Sequence, residues 1–197
     1  MVYEQLISKK SSENGFSVER DYVNKKAYHD KFERLPLNKS VYEMIYKETG
    51  RLLEYVDGQS NEYMIAINGR TGEFIVDNLN RPGDSSGTTF NEYEMAEIEK
   101  CEDSIILIHN HSYNRQPSGK DIASYAMNDK VKISIIACHN GDVYAIIKAN
   151  KVVAQIYNEL FNEFPETYSK EERKTRATKI LEALNGLGNS LYEVWRL

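Results

Sequence analysis

Two histidines and one aspartate lie within thirteen residues of this sequence, in types and at a spacing that suit a metal ion. His109 and His111 are two positions apart, and Asp121 follows in the run Ser118-Gly119-Lys120-Asp121. Two imidazoles and one carboxylate supply three ligands and leave a fourth position open for water, which is the pattern of catalytic rather than structural zinc sites. The chemistry that this set predicts is hydrolysis by a zinc-activated water.

The elements around these residues would bring them together. Ile105 to Ile108 is an apolar run that predicts a buried strand, and side chains two apart on a strand point to the same side. Ser118 suits the N-cap of a helix, with Asp121 in the first turn. Each half alone has a simpler interpretation, because Ser-x-x-Asp is an ordinary capping box and two histidines are too few for a metal. Their occurrence in one short stretch favours a metal centre.

A hydrolase of this kind needs a base that takes a proton from the attacking water and passes it to the leaving amine. Glu62 is our candidate, because it begins a predicted strand that can lie beside the histidine strand. Glu48, Glu54 and Glu73 remain alternatives that sequence alone does not exclude. The hydroxyl of Ser118 is a candidate donor to the developing oxyanion, a contribution of about 3 kcal/mol to the transition state.

The composition limits the class of protein. A chain of 197 residues, 41% of them hydrophobic, suits a globular domain of ordinary composition. The net charge of -5 argues against non-specific nucleic-acid binding, which needs a basic surface. No apolar run is long enough to span a membrane, and no signal-peptide pattern is evident at the first residues. Cys101 and Cys138 lie far apart, so we expect no disulfide framework and a reducing, cytoplasmic location.

Hydrophobic periodicity and turn signals predict an α/β fold, a mixed β-sheet flanked by helices with helical N- and C-terminal extensions. We expect three segments: an N-terminal arm and helix at 1–38, a metal-binding domain at 39–149 and a helical extension at 150–197. His29 is interpreted as a solvated surface residue and His139 as a turn residue. The predicted elements are the helices Asp21–Arg34 and Ser40–Val56 (with a Ser40-x-x-Glu43 capping box), the hairpin Glu62–Ile67 and Glu73–Val76, the helix Phe90–Lys100, the histidine strand, the helix Ser118–Met127, the strands Lys132–Ala137 and Val143–Lys148, and two further helices.

The site residues taken together resemble the JAMM (JAB/MPN) metalloprotease motif, in which His-x-His and Ser-x-x-Asp follow a glutamate that opens an earlier strand. His-Asn-His with a following Pro-Ser-x-x-Asp is most similar to the RadC-like branch of that family. The resemblance covers about residues 40–148. It implies a deaminase-like JAB/MPN fold, zinc held by His109, His111 and Asp121, Glu62 as the acid/base and Ser118 as the oxyanion partner.

The sequence departs from the family pattern at two points. The family usually has proline directly after the second histidine, where this chain has Ser112. It usually has seven residues before the serine, where this chain has the six residues 112–117. A looser similarity, to JAB-type domains attached to phage minor head proteins, is carried by Ile135–Val143 and the turn Asn68–Glu73.

Two classes of function follow. The first is a zinc-dependent hydrolase that cleaves a peptide or an isopeptide in a ubiquitin-like conjugate. The alternative is a non-catalytic JAB-like module that keeps the fold and binds a phage structural partner or another copy of itself. Action on nucleic acid is suggested only by the RadC-like kinship, and base deamination is disfavoured because the Pro-Cys-x-x-Cys ligands of zinc deaminases are absent. A cysteine protease is disfavoured because Cys101 lies among acidic residues, which oppose thiolate formation.

Overall fold

The centre of the molecule is a mixed β-sheet. The structure is a computed structural model and describes residues 15–189 and 191–197. The strands in this part of the chain are β1 (Met64–Asn68), β2 (Phe74–Asp77), β3 (Ile105–His111), β4 (Val131–Cys138), β5 (Val143–Ala149) and β6 (Tyr192–Arg196). Their order across the sheet is β2-β1-β3-β4-β5-β6, with β3 and β4 parallel and the other neighbours antiparallel.

Helices cover both faces of the sheet. They are α1 (Arg20–Val23), α2 (Lys26–Phe32), α3 (Lys39–Val56), α4 (Glu92–Lys100), α5 (Gly119–Met127), α6 (Val152–Glu163) and α7 (Lys170–Leu184), which continues into a π-helical turn at Asn185–Asn189. None of the helices in the described ranges is long and apolar enough to cross a membrane. The coarse prediction of a mixed sheet flanked by helices is confirmed.

Side chains of β3 alternate between the two faces of the sheet, as the two-residue period of a strand requires. Ile106 and Ile108 pack in the cluster that includes Leu52 of α3. Leu107 belongs to a different cluster, with Ile98 of α4. His109 and His111 share the face of Leu107, so both imidazoles lie on the side away from α3.

The connection from β3 to β4 explains why α5 returns to the histidines. Parallel neighbours require a crossover, and α5 supplies it. Its Ile122 and Ala126 are buried against Ile136 of β4, together with Tyr157 of α6 and Leu181 of α7. The beginning of α5 is therefore held close to the end of β3.

The predicted order of elements between α3 and β5 is confirmed, with the ends of most elements within two residues. The hairpin of β1 and β2 forms as expected. The Asn140-Gly141 turn also forms, and Gly141 has a φ of +82°, a left-handed value that favours glycine.

The start of α3 differs from the prediction. Its N-cap is Asn38, and Lys39 already has helical backbone, so Ser40 lies inside the first turn and the predicted Ser40-x-x-Glu43 capping box does not form. The Glu43 carboxylate instead lies 3.0 Å from His29 Nε2. His29 is consequently half-buried rather than a freely solvated surface residue.

Two other helices also depart from the prediction. The helix expected over Asp21–Arg34 is two short helices, α1 and α2. α4 begins after Phe90, because Asn91 accepts the amide of Glu94 in a capping box that sets the helix start. Tyr93, near the start of α4, is 86% exposed.

The two terminal segments are more closely joined to the sheet than the sequence indicated. The C-terminal extension is helical through α6 and α7, but it then adds β6, a strand that the prediction missed, to the edge of β5. At the other end, Val18, Tyr28 and Phe32 are buried in the same cluster as β1 and β3. Residues 1–14 of the predicted arm lie outside the described residues.

Candidate metal centre

The end of β3 brings His109 and His111 side by side. Both side chains are buried, with 4% and 7% of the residue surface exposed. Their Nε2 atoms are 3.2 Å apart. The predicted delivery of two imidazoles to one side of the strand end is therefore confirmed.

Asp121 completes the group from the first turn of α5. Its Oδ1 lies 3.7 Å from His109 Nε2, and its Oδ2 lies 3.5 Å from His111 Nε2. Ser118 is the N-cap, and both its backbone N–H and its hydroxyl donate to Asp121 Oδ2 at 2.7 Å. The predicted capping box forms, and it holds the aspartate toward the histidines.

The three residues fit one metal ion. One donor atom from each lies within 4.8 Å of the others. Two ligands of a tetrahedral zinc, each about 2.0–2.1 Å from the ion, are about 3.3 Å apart, close to the 3.2–3.7 Å separations seen here. The carbonyl of Arg115 accepts from His111 Nδ1 at 2.8 Å, which leaves the Nε2 lone pair of that ring free for a metal.

Burial also favours the protonation states that bind metals. It lowers the pKa of His109 to about 4, so that imidazole is neutral near pH 7. For Asp121, burial acts to raise the pKa, but the two imidazoles and the hydrogen bonds from Ser118 outweigh it and lower the pKa. A neutral imidazole and an ionised carboxylate are the forms that ligate a cation.

The shortened loop between His111 and Ser118 still allows the three ligands to converge. Asn114 has a φ of +55°, a left-handed turn conformation that asparagine tolerates, and its carboxamide oxygen accepts the amide of Asn140 at 2.8 Å. Ser112 donates its hydroxyl to the carbonyl of Ser60 at 2.8 Å. These two hydrogen bonds hold the loop between His111 and Ser118 against neighbouring segments.

Glu62 lies on the same side of the sheet as the histidines. It lies two positions before Met64, the first residue of β1, and forms an isolated bridge with Asp84. Met64 pairs with His109. Burial raises the pKa of the Glu62 carboxyl to about 7, against the opposing effect of His111. A carboxyl that titrates near neutral pH is suited to accepting and returning a proton.

The rival glutamates lie elsewhere. Glu48 is buried in α3 and pairs with Arg51 at 2.6 Å, while Glu54 and Glu73 are exposed. None of the three lines the cleft in which the metal ligands lie, whereas Glu62 does. Position therefore separates Glu62 from the alternatives that the sequence left open.

Asn110, the residue between the two histidines, has a role that the sequence analysis missed. It is fully buried and points to the opposite face of the sheet, where its Oδ1 accepts from Tyr63 N–H at 2.8 Å and its Nδ2 donates to the Asn61 carbonyl at 2.9 Å. These two contacts hold the residues on either side of Glu62. A polar side chain at an inward position of a buried strand is a signal that could have indicated this, since such groups are almost always hydrogen-bonded.

His139 contacts the Asn110 side chain. It is buried, its Nε2 lies 3.3 Å from Asn110 Nδ2, and its Nδ1 lies 2.6 Å from the Phe16 carbonyl. His139 follows β4 in the turn, as predicted, and it lies outside the metal group. A second group of metal-capable side chains among the described residues, His29 with Asp30 and Glu33, is a set of exposed and half-buried ion pairs.

The metal residues open into a cleft of about 1020 Å³. The loop Ser85–Thr89 forms one part of its wall. A polar stripe on α7 forms another part; the stripe consists of Glu171, Lys174, Thr175, Thr178 and Glu182. Its three- and four-residue spacing is a helical period that the sequence already contained.

α7 also supports the turn that carries Asp121. Thr178 Oγ1 accepts the amide of Gly119 at 2.9 Å. A side-chain carbon at Gly119 would lie 2.7 Å from the ring of Tyr157, so only glycine permits this packing. The turn that carries Asp121, the third candidate ligand, is thus held in place by α6 and α7.

The cysteines are not arranged as catalytic nucleophiles. Cys101 and Cys138 are both free thiols. Burial raises the pKa of Cys138 to about 12, and its Sγ contacts the carbonyl of Arg115 at 3.5 Å.

Comparison with protein-family models, with curated proteins and with solved structures finds no match, so the case for a function depends on the residues of this site.

Proposed function

We propose that this protein is a zinc-dependent hydrolase that cleaves a peptide or isopeptide amide bond, with a ubiquitin-like conjugate as one such substrate. The observation that carries the proposal is the convergence of His109, His111 and Asp121, with donor atoms within 4.8 Å, in a cleft that Glu62 also lines. The deaminase-like JAB/MPN fold and membership of the JAMM family are part of the same proposal. The mixed sheet and the order of its elements support them.

Each of the three proposed ligands offers one donor atom to a cation. His109 and His111 each offer Nε2, and Asp121 offers the carboxylate that Ser118 orients. Zinc bound there would supply Lewis acidity, which lowers the pKa of a bound water to about 7 and polarises an amide carbonyl.

Glu62 serves as the acid/base. None of the described residues forms a hydrogen bond with its carboxylate, which leaves both oxygens available to a water in the cleft. It accepts a proton from the attacking water and later delivers it to the nitrogen of the departing amine. The raised pKa of about 7 makes both transfers feasible near neutral pH.

Ser118 has two possible contributions. Its hydroxyl donates to Asp121, so it orients a ligand, and it also lines the cleft, where it could donate to the oxygen of the carbonyl under attack. Replacing it with alanine separates the two, because loss of orientation lowers zinc affinity whereas loss of the oxyanion contact lowers kcat at full zinc occupancy.

The test is zinc content measured alongside hydrolysis of a panel of peptides and isopeptide-linked conjugates. We expect about one zinc per chain and measurable cleavage, with Glu62→Gln retaining zinc and losing about 100-fold or more in kcat. Full activity in Glu62→Gln would show that Glu62 is not the base. The exposed Glu54→Gln is the control and should keep the native rate.

The non-catalytic alternative has one supporting observation, the commitment of the Ser118 hydroxyl to Asp121. In that case the site would stabilise an interaction module that binds a phage structural protein or a second copy of the chain. Stoichiometric capture of such a partner, with no cleavage of any member of the panel, would favour it.

A further inference from the structure

Four cationic side chains line the cleft beside the metal group and Glu62. Outside the metal group and Glu62, its charged lining consists of Arg115, Lys120, Lys174 and Lys179 against Glu171 and Glu182. The whole chain has a net charge of -5. Cationic side chains are therefore available where a substrate would lie, in a chain that is acidic overall.

Lys174 is the most enclosed of these cations. Only 12% of its side chain is exposed, and its Nζ donates to the Ser86 carbonyl at 3.1 Å. Glu171 lies 3.6 Å away, longer than a hydrogen bond. An ammonium has three N–H donors, so Lys174 retains donors for another acceptor.

Lys120 lies close to the same loop. It lies in the first turn of α5, and its Nζ is 3.1 Å from the position that a side-chain carbon would occupy at Gly87. It forms no hydrogen bond or ion pair with any residue in the described part of the chain. The N-terminal end of a nine-residue helix adds positive potential at this place.

Both lysines lie within electrostatic range of the proposed acid/base. Burial raises the pKa of Glu62, and the positive charges of Lys120 and Lys174 both oppose that rise. Both lysines line the same cleft as Glu62 and His109. An anion bound by the two lysines would therefore lie close to the proposed site of cleavage.

We propose that Lys120 and Lys174 form an anion subsite that binds a carboxylate of the substrate, carried by the residue next to the scissile amide. This inference rests on the proposed hydrolase function. It names the substrate class of that hydrolase as amides flanked by an acidic group. Two lysines from different elements, α5 and α7, converge on the loop Ser85–Thr89 and leave N–H donors free. That carboxylate is either the side chain of an acidic residue or the α-carboxylate of a C-terminal residue.

Binding of small probes to the zinc-loaded protein tests the subsite without catalysis. The probes are N-acetylglutamate α-amide, with a side-chain carboxylate only, N-acetylglutamine, with an α-carboxylate only, and N-acetylglutamine amide, with neither. We expect one of the two acids to shift the backbone NMR signals of Gly87 and Lys120, with the neutral amide binding about tenfold more weakly or not at all. Equal binding of all three would overturn the proposal.

Lysine variants locate the binding. Lys120→Gln and Lys174→Gln should each weaken binding of the preferred acid about tenfold, and Lys148→Gln, an exposed residue of β5 away from the cleft, should leave it unchanged. Binding that persists in both cleft variants and disappears on chelation of zinc would place the carboxylate on the metal and overturn the subsite.

Hydrolysis separates the failure of this inference from the failure of the proposed function. Loss of preference for acidic over neutral peptides in the two cleft variants, at native zinc content, would support the subsite. Cleavage of acidic and neutral peptides at equal rates in native protein would overturn it and leave the hydrolase intact. Lysine-dependent binding of the acid without cleavage of any peptide would keep the subsite and refute the hydrolase.

Discussion

Two regions meet at the cleft, and they differ in how far apart their residues lie along the chain. The ligand segment, residues 109–121, joins a strand end to a helix start through one loop. The cleft wall draws on Glu62, the loop Ser85–Thr89 and α7, which come together only in the folded chain. Local geometry therefore positions the three candidate ligands, whereas the proposed acid/base and the proposed substrate contacts depend on the packing of distant elements.

Removal of a ligand should have the largest effect and act through the ligand segment alone. We expect His109→Ala to reduce zinc from about one ion per chain to near zero, because two remaining ligands do not retain the ion. His29→Ala, in the other group of metal-capable side chains, is the matched control and should keep the zinc. Elemental analysis after dialysis measures both. Zinc retained in His109→Ala would contradict the assignment.

Asn110 connects the two regions, so its removal should disturb Glu62 more than the metal. Asn110→Ala leaves the buried Tyr63 N–H and Asn61 carbonyl without partners, which costs about 1–3 kcal/mol of unfolding free energy. We expect kcat to fall about 10-fold at full zinc occupancy, a size in keeping with misplacement of a catalytic group. Asn68→Ala, at the end of β1 that lies far from Glu62, is the control.

The outcome that counts against Asn110 as a positioning residue is specific. If Asn110→Ala and Asn68→Ala lose stability but both keep the native kcat, then Asn110 supports the fold only. A shift of the pH–rate profile in Asn110→Ala, absent in Asn68→Ala, would show that the environment of Glu62 has changed.

Gly119 tests whether α6 and α7 support the ligand segment. Gly119→Ala would place a carbon 2.7 Å from the Tyr157 ring and 3.0 Å from Thr178 Oγ1, and we expect a loss of about 1–3 kcal/mol with weaker zinc binding. Gly50→Ala, in α3 with no atom within 4 Å of the added carbon, should stabilise by about 0.5–1 kcal/mol. Thermal unfolding and zinc titration measure both. Unchanged zinc affinity in Gly119→Ala would show that α6 and α7 do not support the ligand segment.

The smallest effect is a pH dependence of stability in the chelated protein. Burial raises the folded pKa of Glu62 to about 7, above its unfolded value of about 4.3. The wild type therefore loses stability as pH rises through this range, because the ionised form is disfavoured in the folded state. Glu62→Gln should melt at the wild-type temperature at pH 4 and be more stable at pH 8, by about 1–2 kcal/mol. If the difference in stability between Glu62→Gln and the wild type were equal at pH 4 and pH 8, Glu62 would not be buried in the folded state.

The ligand segment could be predicted because its rules are local. The apolar run and the two-residue period of a strand predict where His109 and His111 point, and the Ser118-x-x-Asp121 capping box predicts the position of Asp121. In the structure these three side chains lie together. The same rules failed at Ser40-x-x-Glu43, where the helix begins one residue before Ser40 and the box does not form. A capping motif sets a helix start only when its first residue has non-helical backbone, and Ser40 is already inside the helix.

The cleft wall could not be predicted, because no local rule brings α7 to β3. The polar stripe of α7 is visible in the sequence, yet its position depends on the burial of Ala177 and Leu181 against α5 and α6. β6 was missed for a similar reason, since Tyr192–Arg196 is a strand only through its pairing with β5. Glu62 was chosen over three other glutamates by the pairing of β1 with β3, which the sequence suggested but did not decide.

The double use of Asp121 has a consequence for exchange of the ion. Its carboxylate is oriented by the N–H and hydroxyl of Ser118, so the first turn of α5 holds it in position without help from a cation. A chelator should therefore remove the metal from a chain that stays folded, and added metal should rebind without a slow conformational phase. If the group binds zinc as proposed, its occupancy would follow the free metal concentration, and the ion could leave and return while the fold persists.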